Sequence, residues 1–367
     1  LYSSRLRGIF NIKNKNSVLY IGTKEGCSLT QEARIMSSSF FSPTGLLRTL
    51  LVSGLAAVSS FSVPAASAAD AYPSREVTFV VPYPPGGNSD NLARVFADRL
   101  RVKLGVPVVI ENRPGGTTSL GTSMVGRAKP DGYTLLLATS TAFTVLPYIR
   151  DVPYDPVKGF EFVGSLAGYL PIMTVRNDLP VSNLKEFVEL ARKEPGTLTY
   201  GSAGIASGGH LAGEILENAQ KLDLLHVPFK GSADTMTALM GNHIDFFIDG
   251  VGLELVKSGK AKALVTYASV RHPELPDVPT PQEAGFDLAL PFEGFWGLAV
   301  PAGTPDDVMN KLAKATEEIL AEPQTQERFH RISVSASWKD GDAYAKDLEK
   351  SRAYYSELLK TIKMSDN

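Results

Sequence analysis

Only one cysteine, Cys27, occurs in the 367 residues, and it lies far upstream of every strongly patterned segment. Disulfide frameworks, cysteine metal sites and thiol nucleophiles are thereby excluded from the remainder of the chain. Charge of one sign is missing as well: 37 Lys plus Arg stand against 39 Asp plus Glu, with no run of five like charges. A broad basic face for nucleic acid or a membrane surface is therefore not expected, whereas a small neutral or anionic ligand remains open. The histidines His210, His226, His243, His272 and His330 are scattered, without Glu-x-x-His or His-x-His spacing, so no metal site is expected. Neither a dinucleotide fingerprint nor a phosphate-loop lysine is present, no strand end carries a Gly-x-Ser-x-Gly elbow, and no neighbouring carboxylate pair replaces it. Catalytic residues and cofactors are accordingly expected to be none, which leaves a hydrolase or transferase of α/β type as the weaker alternative.

Long hydrophobic runs are also scarce. The apolar stretch Leu50 to Val63 follows Arg48 and precedes Ala66-Ser67-Ala68-Ala69. It is too short, and too interrupted by Ser and Gly, for a spanning helix of about 20 residues. Positive region, short apolar region and small-residue site together read as a signal peptide over 36–68, cleaved near Ala68 or Ala69. Residues 1–35 read as an upstream or disordered segment. Export to a bacterial periplasm suits a mature chain without cysteine.

From Ala69 onward, strand-like runs alternate with amphipathic helical patterns, which suggests α/β architecture with parallel sheets. Strands are expected at Val77–Val81, Val106–Glu111, Thr134–Ala138, Ile172–Val175, Thr199–Gly201, Leu224–Val227, Phe246–Ile248, Ala263–Tyr267 and Gly297–Val300. Helices are expected at Leu92–Leu104, Asn183–Glu194, Gly209–Asn218, Ala233–Met240, Pro305–Ala321 and Asp342–Leu359.

The most informative segment is EVTFVVPYPPGGNSDNLARVFADRL, residues 76–100. A β-branched run breaks at Pro84-Pro85-Gly86-Gly87 and restarts as a helix whose expected cap is Ser89 or Asp90. Such a junction offers unpaired amides and the positive end of a helix dipole to an anion, carboxylate or phosphate alike. A second Gly-rich junction, LTYGSAGIASGGHL at 198–211, repeats the design in the other half of the chain. Facing each other across a cleft, the two would converge on one acidic group.

The ordered strings VVIENRPGG, AKPDGYTLLLA, HVPFKG, ALMGNHIDFFID, SGKAKAL, HPELPDVPTPQEAG and AVPAGTP, with the two junctions, run from about Tyr72 to about Lys363. In order and content the chain resembles the Bug family, extracytoplasmic solute receptors of tripartite tricarboxylate transporters. The resemblance implies a two-lobed Venus-flytrap fold of type II, each lobe a mixed sheet flanked by helices. It places lobe 1 at 69–171 plus 291–367 and lobe 2 at 172–290. It further implies a monomer without enzymatic activity that closes on a small carboxylate and delivers it to membrane subunits of the transporter. A co-receptor role for a membrane signalling protein would use the same cleft.

Ligand contacts implied by the matching motifs are Pro85, Gly86, Gly87, Asn88 and Ser89 at the first junction, and Ser202, Gly204, Ile205 and Ser207 at the second. Tyr83 either meets the ligand or packs in the core. Asp249 is either a contact suited to a ligand hydroxyl or amine, or a turn-forming residue. Thr139 and Ser140, with Thr141, follow a strand end and either line the cleft or are ordinary loop hydroxyls. His210 sits in the first turn of a helix, where a positive charge opposes the dipole, so a neutral structural role is expected. Phe295 and Trp296 are expected in the core. The sequence departs from common family patterns at Gly115-Gly116-Thr117-Thr118, at Gly204-Ile205-Ala206-Ser207 and at Gly250-Val251-Gly252, which bears on ligand identity. Ile205 and Ala206 would bring apolar groups next to the anion site.

Overall fold

Val77–Val81, a run of β-branched and aromatic residues, forms strand β1 in the computed structural model, which describes residues 72–288 and 295–362. The expected leader at 36–68 and the upstream segment 1–35 lie outside the described residues. β1 lies next to the edge of a sheet completed by β2 (Val108–Asn112), β3 (Thr134–Thr139), β4 (Phe160–Tyr169), β10 (Trp296–Pro301) and β11 (Val334–Ala336) in the order β11-β4-β10-β3-β1-β2. A second sheet collects β5 (Ile172–Arg176), β6 (Thr199–Ser202), β7 (Leu225–Pro228), β8 (Phe246–Asp249) and β9 (Ala261–Thr266) in the order β7-β6-β8-β5-β9.

Both sheets are mixed and flanked by helices, as the family resemblance implies, whereas strand–helix alternation alone suggests parallel sheets. β1 runs parallel to β2 and β3, but β10 returns from the far end of the chain antiparallel to both β3 and β4. β5 is antiparallel to β8 and β9. β4 was not expected, because Gly164 and Gly168 interrupt its apolar pattern. Its register against β10 shifts twice, and a Cβ at Gly164 would run into the Trp338 ring, so tertiary packing demands the glycine that hides the strand.

The helices are α1 (Asn88–Leu104), α2 (Ser119–Gly126), α3 (Leu146–Ile149), α4 (Leu184–Lys193), α5 (Gly208–Gln220), α6 (Ser232–Met240), α7 (Gly252–Lys257), α8 (Asp306–Ala321), α9 (Pro323–His330) and α10 (Gly341–Leu358). α1 buries Leu92, Val95, Phe96 and Leu100 against the first sheet, and Phe96 meets Phe79 edge-on with centroids 5.9 Å apart. Each such side chain contributes about 1.5–3 kcal/mol of burial, enough to fix the helix start relative to the strand end. α5 does the same for the second sheet through Ala212, Ile215 and Leu216. An apolar cluster of Val145, Ala206, Leu211, Tyr355 and Ile362, with Ile205 packed on it, ties α10 and α3 to the α5 start. Among the described residues no helix is long and apolar enough to cross a membrane.

Candidate functional site

The carboxyl ends of β1 and β8 and the starts of α1, α5 and α6 surround one cavity of about 60 Å³. The loop after β1 is built by Asp90, which lies in the first turn of α1 rather than capping it. Its carboxylate accepts from the Gly86 amide at 2.9 Å, from Asn112 Nδ2 at 2.9 Å and from Arg94 Nε at 2.8 Å. Burial pushes its pKa up, but these donors outweigh it and hold the group below the usual carboxylate range. Ser89 does not cap the helix either, since its hydroxyl accepts from the Trp296 indole at 3.0 Å. The cap is Gly87, in extended conformation and without a side-chain acceptor for the amides of the first turn. Those amides remain available to a ligand.

α6 starts in the same way. Gly231 is its extended cap, again without a side-chain acceptor. The two helix starts face each other closely: a Cβ added at Gly87 would lie 3.5 Å from both Cβ and Oγ of Ser232. α5 differs, because the Ser207 hydroxyl accepts from the His210 amide at 3.4 Å and so occupies one of its donors.

Asp249 closes the floor. Its carboxyl accepts from Ser232 Oγ at 2.8 Å and from the Val251 amide at 3.1 Å, and it is hydrogen-bonded to the Tyr169 hydroxyl, which itself accepts from the Gly250 amide at 3.0 Å. Burial raises its pKa despite those donors, so proton sharing with a ligand at this position is less costly than at an exposed carboxylate. Beside it, Asn88 is 4 % exposed and its Nδ2 has no hydrogen-bond partner. A buried unpaired amide costs about 1–3 kcal/mol, which a ligand acceptor would remove.

Of the residues expected from sequence, Tyr83, Pro85, Gly87, Asn88, Ser89, Ser207 and Asp249 line this cavity. Tyr83 is also packed on the core, with its hydroxyl bonded to Thr141 and its pKa pushed up by burial. Gly86 contributes shape instead, with a left-handed φ of 86° and its amide held by Asp90. Ser202 is bonded to His226 Nε2 at 2.7 Å and to the Gly204 carbonyl. Gly204 lines a neighbouring cavity. Thr139 and Ser140 are buried behind the wall, where Ser140 Oγ meets Thr144 Oγ1 at 3.0 Å. Ile205 packs on the Tyr355 and Ile362 cluster. Phe295 and Trp296, expected in the core, are both buried and part of the wall. His210 is 4 % exposed; its Nδ1 accepts from the Ala206 amide at 2.9 Å, and its ring stacks on His226 at 3.8 Å.

Sequence reading missed Tyr169 and the Gly231–Asp234 turn. The latter had a signal, since Val227-Pro228-Phe229-Lys230 followed by Gly231-Ser232 is a strand–glycine–helix junction with fewer glycines. Tyr169 had none, because its role depends on which strands abut. Among the described residues no group of three or more His, Cys, Asp or Glu could hold a metal ion.

The family model described as "Tripartite tricarboxylate transporter family receptor" matches residues 92–364. The periplasmic binding protein BugD is 36 % identical, with a TM-score of 0.72 over 79 % of this chain and 98 % of its own. MatC from Rhodopseudomonas palustris, solved with bound malate, is 29 % identical, with a TM-score of 0.71 over 78 % of this chain and 100 % of its own. An R. palustris protein solved with adipate is 28 % identical, with a TM-score of 0.76 over 79 % of this chain and 99 % of its own.

Proposed function

The chain belongs to the tripartite tricarboxylate transporter receptor family, the Bug-type periplasmic solute-binding proteins, and from that premise we propose that it captures a small carboxylate between its two sheets and delivers it to the membrane subunits of such a transporter. The family is one of receptors and not of enzymes. The observation that carries the reading is the close approach of two helix starts, at Gly87 and Ser232, neither with a side-chain cap. Their amides and dipoles favour an anion without needing a titratable partner, and Asn88 Nδ2 adds a donor. Solved relatives with malate and adipate support the ligand class.

The reading assigns 69–171 plus 291–367 to one lobe and 172–290 to the other, a division that the partition of strands between the sheets supports. A ligand touching both lobes favours the shut conformer by its differential affinity. The protein is taken to act as a periplasmic monomer after cleavage near Ala68 or Ala69.

Isothermal titration of the chain from Asp70 against a panel of carboxylates tests this. At least one acid should bind, and Gly87→Val, which wedges the helix starts apart, should weaken it by roughly 10-fold or more. Absence of binding to every acid, or equal affinity in the variant, refutes the reading.

A further inference from the structure

A second cavity, of about 510 Å³, adjoins the first and shares Tyr83, Pro84, Ala203 and Asp234 with it. The volumes divide the work. The 60 Å³ beside Asn88 is far below the usual range of small-molecule sites, so it suits the carboxylate end of an acid rather than its body. The larger space falls in the usual range of small-molecule sites, about 300–1,000 Å³.

Its walls indicate what it takes. Pro82, Pro114 and Phe229 make it predominantly apolar. Lys230 and Asp234 both line it, so its lining carries one charge of each sign. Thr118 is the distinctive polar residue: it is 1 % exposed, and its Oγ1 has no hydrogen-bond partner. Across the space, Gly204 keeps the gap open, since a Cβ there would lie 3.4 Å from the Phe229 carbonyl and 3.7 Å from Thr117 Oγ1.

Resting on the carboxylate reading above, we infer that this cavity receives the body of the ligand, and that the solute is an elongated monocarboxylic acid. Its carboxylate is anchored at Gly87–Ser89 and Ser232, a ring or medium chain lies against Pro82, Pro114 and Phe229, and a neutral distal oxygen pairs with Thr118. A compact hydroxy acid would leave the larger cavity unfilled and the Thr118 hydroxyl unpaired.

Calorimetric titration with acetate, malate, phenylacetate and 4-hydroxyphenylacetate separates the possibilities. The two aromatic acids should bind at least about 10-fold more tightly than malate or acetate, because they alone bury the apolar wall. Thr117→Phe, which fills the cavity, should weaken both aromatic acids by about 10-fold or more while leaving the compact acids within about 2-fold. Thr118→Val keeps the volume and should weaken only 4-hydroxyphenylacetate, by about 5-fold; it carries the test should Thr117→Phe fail to fold. Compact acids binding as tightly as aromatic ones, or variants that weaken every probe alike, overturn the inference and leave the receptor reading intact. Binding of no acid at all removes both.

Discussion

Gly250 and Asn88 meet so closely across the two sheets that a Cβ on the glycine would run into the Asn88 side-chain amide, and would also lie 2.7 Å from Ser333 Cβ. Gly250 belongs to the turn after β8, whereas Asn88 opens α1 and Ser333 precedes β11. This close approach therefore depends on the missing side chain. Gly250→Ala should hold the two sheets apart and cost about 1–3 kcal/mol of ligand affinity, roughly 5- to 150-fold. Small-angle scattering with saturating acid should show a larger radius of gyration than the parent protein. An unchanged radius together with unchanged affinity would contradict this role.

Asn88→Leu separates binding from stability. The parent side chain buries an amide without a partner for its Nδ2, so replacing it by an apolar group of the same branching should leave the melting temperature of the free protein equal or higher. Ligand affinity should instead fall by about 10-fold, as expected for one hydrogen bond to a charged acceptor. Thermal melts and titrations on the same variant supply both numbers. A variant that loses stability and keeps affinity would show that the amide serves the fold.

How much of this was legible in sequence depended on how local the cause was. The first junction could be read because Pro84 to Gly87 and the helix that follows are contiguous. Its cap could not: Ser89 is drawn away by Trp296, 207 residues distant, and Asp90 by Asn112 and Gly86. Ile205 looked like part of the anion site from its neighbours, yet its side chain packs on residues near the end of α10. The α6 start was expected as a helix start but not as part of the site, because one glycine at Gly231 is a weak signal and only the fold brings it near Gly87. β4 escaped for the reason that made its glycine necessary, the Trp338 ring lying over it.

Asp90→Ala should damage the site from one residue outside it. Three donors, on Gly86, Asn112 and Arg94, lose their common acceptor, and the loop that shapes the α1 start loses its anchor. Each lost bond to a carboxylate is worth about 1.5–3 kcal/mol, although the contributions are not additive and Arg94 is half exposed. Denaturant unfolding should register a loss of about 2–4 kcal/mol, and affinity should fall with it. Hydrogen exchange at Gly86 and Gly87 should accelerate far more than at β8; uniform acceleration would mean global unfolding instead.

Acidification should weaken the fold well above the pH at which carboxylates protonate. Burial, reinforced by the neighbouring His210, lowers His226 to about 3, and burial lowers His272 to about 4, against an ordinary value of 6.5. Between 6.5 and those values the unfolded chain binds these protons and the folded chain does not, so stability is complete above 6.5 and declines as pH falls. Glu217 works in the opposite sense, since burial and then Glu214 raise it to about 7. From 7 down to 4.5 the folded state holds a proton there that the unfolded state lacks, and this partly offsets the histidines. One carboxyl opposes two imidazoles, so the histidines prevail. Melting temperature should fall from pH 6.5 to 5 and more steeply below 4.5, where Glu217 is protonated in both states. His272→Asn should flatten that slope by removing one of the two histidine protons. A melting temperature that rises on acidification from 6.5 to 5 would show that these rings are charged in the native protein.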